Sequence, residues 1–208
     1  MLKRSLLLSL FLAAGSVQAE QKAPDLEKGK LTAEGICAGC HNPDGNSQLS
    51  ANPKLAGQIP EYLAKQLHEF QSADGKPPVR VNAVMNGMAA ALSPEDITNV
   101  SHYFASQTLQ PAVAKNGETV EWGQKLWRAG DASKGLPACA ACHGPAGKGL
   151  PAQFPRLSGQ FTEYTVAQLK AFRAGERAND PAKMMQMIAI KMTDKEIEAV
   201  ADYIAGLR

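Results

Sequence analysis

The sequence predicts an all-α chain in which one helical unit is written twice, and two observations carry that reading. Segments recur at a fixed offset. Pro53-Lys54-Leu55-Ala56-Gly57-Gln58 matches Pro155-Arg156-Leu157-Ser158-Gly159-Gln160, and Tyr62-Leu63-Ala64-Lys65-Gln66-Leu67 matches Tyr164-Thr165-Val166-Ala167-Gln168-Leu169, both 102 positions apart. Leu92-Ser93 and Met192-Thr193 match at 100, so the copies differ by a two-residue deletion. The second observation is periodicity: no stretch alternates apolar and polar residues as a half-buried strand would, whereas apolar residues recur at helical spacing.

The 208-residue chain opens with a segment of another kind. Lys3 and Arg4 precede an apolar run from Leu6 to Ala14 and the small-residue pattern Val17-Gln18-Ala19. This is the layout of a secretory signal peptide over residues 1–19, with cleavage after Ala19. The run is short for a membrane span, which needs about 20 apolar residues. No later segment is long and apolar enough to cross a membrane. The remaining chain is expected to be periplasmic with no transmembrane segment, which leaves peripheral membrane association open. Of 22 basic and 20 acidic residues, Lys3 and Arg4 leave with the signal, giving 20 against 20. No basic excess points to nucleic acid. The balance conceals a split, since residues 20–113 carry 7 basic and 10 acidic groups while residues 114–208 carry 13 and 10.

Within each half the elements read as helix and loop. Ser93-Pro94-Glu95-Asp96 and Thr193-Asp194-Lys195-Glu196 are capping-box starts, with Pro94 at the first helical position. They open helices with copied apolar stripes: Ile97, Val100, Tyr103 and Phe104 in one, Ile197, Val200, Tyr203 and Ile204 in the other. The Tyr62 to Phe70 and Tyr164 to Phe172 segments pass the same test. Short helices fit the runs ending at His41 and His143, with Gly29 and Gly123 as close-contact points for the terminal helix of each half. Between Gln110 and Gly117, Pro, Ala, Asn and Gly replace the helical pattern. The expected division is residues 20–110, a linker over 111–117, and residues 118–208. At 6% aromatic content, two such domains are thin in core-forming side chains unless something large and apolar fills them.

All four cysteines fall in two pentapeptides, Cys37-Ala38-Gly39-Cys40-His41 and Cys139-Ala140-Ala141-Cys142-His143. A C-x-x-C-H run reads as attachment of a c-type haem. On one helical turn the thiols at i and i+3 share a face and can add to the two vinyl groups of one porphyrin. The imidazole at i+4 then lies over the iron. A disulfide oxidoreductase site wants a low-pKa thiol in a βαβ pattern and has no use for a histidine directly after the second cysteine. A structural zinc site needs four ligands around one ion, and two distant Cys-Cys-His sets offer six. Two covalently bound haem c groups are therefore expected, one on Cys37 and Cys40 and one on Cys139 and Cys142, with His41 and His143 as iron ligands.

The sixth iron position is most often taken by methionine in small electron-transfer cytochromes. Met85 and Met88 are available in the first half, and Met184, Met185, Met187 and Met192 in the second. Met85 lies seven residues before Leu92-Ser93, and Met185 seven before Met192-Thr193, so the repeat selects these two. Both are placed in the loop leading to the capped helix. Met88, Met184, Met187 and Met192 are read as fillers of core gaps. His68 and His102 lack counterparts in the other half and are read as ordinary helical residues.

On these residues the chain resembles the dihaem cytochrome c4 family, two class I cytochrome c domains in tandem, each wrapped around one covalently attached haem. The resemblance covers essentially all of residues 20–208. It rests on the paired C-x-x-C-H motifs, the P-[KR]-L-[AS]-G-Q segments, the Met-to-[LM]-[ST] loops and the terminal Tyr-containing helices. It implies axial pairs of His41 with Met85 and His143 with Met185. It also implies that the carbonyls of Pro53 and Pro155, each twelve residues after its histidine, accept the imidazole N–H. The implied function is that of an electron carrier and not an enzyme, with a quinol-oxidising complex as donor and a terminal haem-copper oxidase as acceptor. Two alternatives stand beside it: an electron-transfer subunit of a periplasmic dehydrogenase, and a dihaem enzyme such as a peroxidase, which would need one labile or absent distal ligand.

Overall fold

A computed structural model describes residues 23–208; the segment read as a signal peptide lies outside them. The described residues form ten α-helices and no strand, with three isolated bridges in loops. In the first half α1 (Leu26–Thr32) runs through a π turn at Ala33–Cys37 into α2 (Ala38–His41), followed by α3 (Pro60–Phe70), α4 (Ala83–Ala89) and α5 (Pro94–Ser106). The second half repeats the order with α6 (Gly117–Ala129), α7 (Ala140–His143), α8 (Thr162–Ala174), α9 (Met184–Ala189) and α10 (Asp194–Gly206).

Local chemistry accounts for the helix starts. The Asp25 carboxylate accepts from the Glu27 and Lys28 amides at 3.1 Å and caps α1. Ser93 with Asp96 and Thr193 with Glu196 form complete capping boxes at α5 and α10. The methionine segments differ from expectation. They are not loops but the short helices α4 and α9, because Asn82 accepts from the Met85 amide at 2.9 Å and Asp180 from the Gln186 amide at 3.0 Å. A side-chain cap on α4 and a carboxylate contact inside α9 support turns that periodicity over six or seven residues is too short to reveal.

In each half the terminal helix packs on the entry helix, α5 on α1 and α10 on α6. A Cβ at Gly29 would strike the Asn99 carbonyl and the Tyr103 side chain, and one at Gly123 would strike the Ala199 carbonyl and Tyr203. Backbone touches backbone at both crossings, which only glycine permits. The packed core of the first half comprises Ala33, Leu63, Val100 and Phe104. That of the second is larger: Leu126, Trp127, Leu136, Met192, Ile197, Val200, Tyr203 and Ile204.

The repeated Pro-to-Gln segments join the halves. Gln58 Nε2 donates to the Arg156 carbonyl at 2.9 Å and Gln58 Oε1 accepts from the Arg156 amide at 2.8 Å. Gln160 does the same to Lys54, at 2.9 and 3.0 Å. The ammonium of Lys54 also lies 4.6 Å from the centre of the Phe161 ring.

Candidate functional site

The sites grow from the two histidines. After His41 the chain turns at Asn42 (φ 62°), and after His143 at Gly144 (φ 78°). Each loop then folds back on one carbonyl. Gly45 O accepts from the Leu55 and Ala56 amides at 2.7 and 3.2 Å, and Gly147 O from Leu157 and Ser158 at 2.8 and 3.0 Å. This return brings a proline carbonyl to each imidazole. His41 Nδ1 lies 2.9 Å from Pro53 O, and His143 Nδ1 2.9 Å from Pro155 O. A carbonyl oxygen can only accept, so Nδ1 carries the proton in both rings and Nε2 keeps its lone pair. Burial holds both imidazoles below the usual histidine pKa, partly offset by the carbonyl contact, so the rings are neutral. A neutral, oriented imidazole with a free Nε2 is a metal donor.

The cysteines are unpaired as disulfides. In thiol form Cys37 and Cys139 are each pushed up to about 11 by burial. That is the reverse of the activated thiol of a dithiol oxidoreductase. Among the described residues no cluster of three or more His, Cys, Asp or Glu side chains could hold a metal ion.

One cavity of about 690 Å³ runs through both halves, and its wall carries all four cysteines, His41 and His143. Leu63, Phe70 and Phe104 line it on one side, Leu157, Leu169 and Phe172 on the other. Protein interiors hold few voids larger than a water molecule, so a space of this size among apolar side chains is a binding site. Its donors are two thiols and one imidazole per half, and its walls are mostly apolar. These residues fit one haem c in each half, and they explain how so few core side chains suffice.

Met85, Met88, Met184 and Met185 all border the cavity, so α4 and α9 each present a thioether to it. Met192 also borders the cavity, and at 4% exposure it packs in the core of the second half. Met187 is not a filler: it is 56% exposed and away from the cavity wall, because the helical phase of α9 turns it outward. Met88, at 40% exposure, sits at the rim. His68 and His102 lie on α3 and α5, off the wall.

Some neighbours of the site were not legible in the sequence. The Trp127 ring lies 6.4 Å from that of His143, and Phe154 meets the same imidazole edge-on at 6.1 Å. Trp127 Nε1 donates to Pro145 O at 3.0 Å, fixing the indole. Trp127 stands four residues after Gly123, where the first half has Ala33 four after Gly29. The signal was there in the helix register counted from each glycine.

The chain matches the family model described as cytochrome c twice, over residues 26–108 and 120–208. It is 41% identical to a cytochrome c4 of Thiocapsa roseopersicina over 93% of this chain and 98% of that one. It is also 41% identical to a thiosulfate dehydrogenase electron acceptor of Thiomonas intermedia, over 82% of this chain and 77% of that one. The solved structure of reduced recombinant cytochrome c4 from Pseudomonas stutzeri superposes with a TM-score of 0.82 at 39% identity, covering 89% of this chain and all of that one. With two C-x-x-C-H segments opening on one cavity, the chain belongs to the cytochrome c4 family of electron carriers and holds two covalently attached haem c groups.

Proposed function

We propose that this protein is a periplasmic one-electron carrier of a respiratory chain, reduced by a quinol-oxidising complex and oxidised by a terminal haem-copper oxidase. The observation that supports this most is the single cavity, walled in each half by a neutral imidazole and a methionine-bearing helix. Bound haem c supplies reversible one-electron chemistry at iron. The chain's own residues do the rest. Cys37 and Cys40 anchor one group, and Cys139 and Cys142 the other. His41 and His143 would each offer Nε2 to one iron, their rings fixed by the carbonyls of Pro53 and Pro155, which also strengthen them as donors. Met85 and Met185 would supply a thioether ligand to each iron, and thioether ligation favours Fe(II) and a raised potential. With a histidine and a methionine supplied to each iron, substrate would have no place there, which favours a carrier over a peroxidase. Residues 20–110 and 118–208 form the two domains, and 111–117 the link.

Mixing the reduced protein with a purified terminal oxidase in a stopped-flow instrument tests the direction proposed. Rapid reoxidation coupled to oxygen uptake is expected. Failure with oxidases, together with rapid reduction by a periplasmic dehydrogenase and its substrate, would favour a second reading, that of electron acceptor to such an enzyme. The relative named as a thiosulfate dehydrogenase electron acceptor supports that second reading.

A further inference from the structure

Arg80-Val81-Asn82 and Arg177-Ala178-Asn179 are corresponding tripeptides, each leading into a methionine-bearing helix, but Met85 follows its asparagine by three residues and Met185 by six. The two arginines behave alike. Arg80 donates to the Tyr164 hydroxyl at 3.2 Å and Gln168 Oε1 at 3.1 Å, and Arg177 to the Tyr62 hydroxyl and Gln66 Oε1, both at 3.1 Å, so each crosses to the other half. The two asparagines do not behave alike. Asn82 works within its own half, where its Oδ1 accepts from the Met85 amide at 2.9 Å and its amide donates to Asn86 Oδ1 at 2.8 Å. Asn86 Nδ2 then donates to the Phe70 and Arg80 carbonyls at 2.8 and 2.9 Å, so α4 is tied at both its cap and its first turn by first-half residues.

Asn179 crosses the boundary instead. It is buried at 6% exposure, and its Nδ2 donates to Glu69 Oε2 at 2.6 Å and Gln66 Oε1 at 2.9 Å, both on α3 of the first half. Lys65, also on α3, donates from Nζ to the Asn179 carbonyl at 3.0 Å and pairs with Glu69 at 2.5 Å. A hydrogen bond to a carboxylate is stronger than one between neutral groups, and burial makes it costlier to lose. The next residue carries the tie into α9, since the Asp180 carboxylate accepts from the Gln186 amide at 3.0 Å and from its side chain at 2.7 Å. Between this anchor and Met184, Ala182 and Lys183 stand at φ 53° and 56°, a left-handed conformation that is unfavourable for any residue with a Cβ. Such a conformation persists only where the surroundings over-determine it, so the segment is under strain between α3 and α9.

We infer that α3 of the first domain positions the methionine helix of the second, with Asn179 as the clasp, and that the first domain's own methionine helix has no such dependence on Asn179. This rests on the reading in which one methionine from each half closes each iron. Releasing Asn179 removes the anchor that keeps Ala182 and Lys183 strained, so the segment relaxes and α9 withdraws from the cavity more often. Met85 is unaffected, because Asn82 and Asn86 hold α4 from within the first half. The fit between the domains thereby governs ligation at the second iron and not at the first.

The test titrates the complete ferric holoprotein with imidazole, following the two irons separately by NMR. Imidazole can bind only where the methionine has left, so its apparent affinity at each iron reports the open fraction there. Asn179→Ala is expected to raise that affinity about tenfold at the second iron and to leave the first unchanged. Asn82→Ala, which uncaps α4, is expected to do the reverse. Glu69→Gln, made in the other domain and preserving side-chain shape, takes the place of Asn179→Ala if that variant does not fold, and is expected to move the second iron in the same direction by less. A merely structural loss would move both irons together. An equal change at both irons, or none, in a protein that retains both haems overturns the inference. A parent protein whose second iron shows no methionine-to-iron band removes the reading beneath it, and the inference falls with that reading.

Discussion

Gln58 closes a two-point hydrogen-bonded ring on the backbone of Arg156, donating to its carbonyl and accepting from its amide at 2.9 and 2.8 Å. Gln160 closes the equivalent ring on Lys54, so the domains are joined by one contact used twice. Both glutamines are buried, at 8% and 9% exposure. Gln58→Ala or Gln160→Ala strands one buried amide and one carbonyl, at a cost of about 1–3 kcal/mol per unsatisfied group. Chemical denaturation should show a lowered midpoint, and protease should cut more readily between residues 107 and 116, where the chain is not helical. Unchanged denaturation and cleavage would mean that the rings do not hold the domains together.

Met85 and Met185 sit on equivalent short helices at the cavity wall. Replacing either by alanine should make one haem high-spin and lower its potential. The near-infrared methionine-to-iron band should lose about half its intensity in each variant. Because Met184 also borders the cavity, Met184→Ala is the control, and it should leave the band intact. Loss of the band in Met184→Ala and not in Met185→Ala would reassign the second ligand.

Gly29→Ala and Gly123→Ala push a methyl group into the carbonyls of Asn99 and Ala199. Neither backbone can withdraw without opening its helix crossing. Overpacking of this kind costs about 1–3 kcal/mol, and both variants should unfold at lower temperature while a surface change such as Gly87→Ala, which meets nothing, should not.

The Glu196 carboxyl is subject to burial, which raises its pKa. Lys134 at 2.6 Å and the Thr193 amide and hydroxyl at 2.8 and 2.9 Å outweigh that and hold it below the usual glutamate value. The folded-state pKa is depressed, so the stabilisation is full above the unfolded value and fades as pH falls through the folded one. Glu196→Gln should lose about 1 kcal/mol at neutral pH and show a flatter acid flank in its pH–stability curve. An acid flank identical to the parent's would place the acid sensitivity elsewhere.

Local signals were the legible ones. Ser93 and Thr193 each sit three residues before an acid, and that spacing alone places two helix starts. The cysteine pentapeptides name their cofactor because every member of the chemistry lies within five residues. Arg80 and Arg177 were not legible. They are 97 residues apart, not 100 or 102, because the loops before α4 and α9 differ in length, so the repeat does not pair them. Their partners lie across the domain interface, which no local pattern reports. Met187 was misplaced for a related reason: three methionines in four residues share one short helix, and only its packing decides which of them face inward.

Two haems, each held by a cysteine pair, fill the shared cavity and, on the proposed reading, are closed by side chains on both faces. Haem quantitation and an absorption spectrum of the protein purified from periplasm test this most directly. Two covalently attached, low-spin haems per chain, with no free thiol at Cys37, Cys40, Cys139 or Cys142, are the predicted result. One haem per chain, or a high-spin centre in the resting protein, would contradict it.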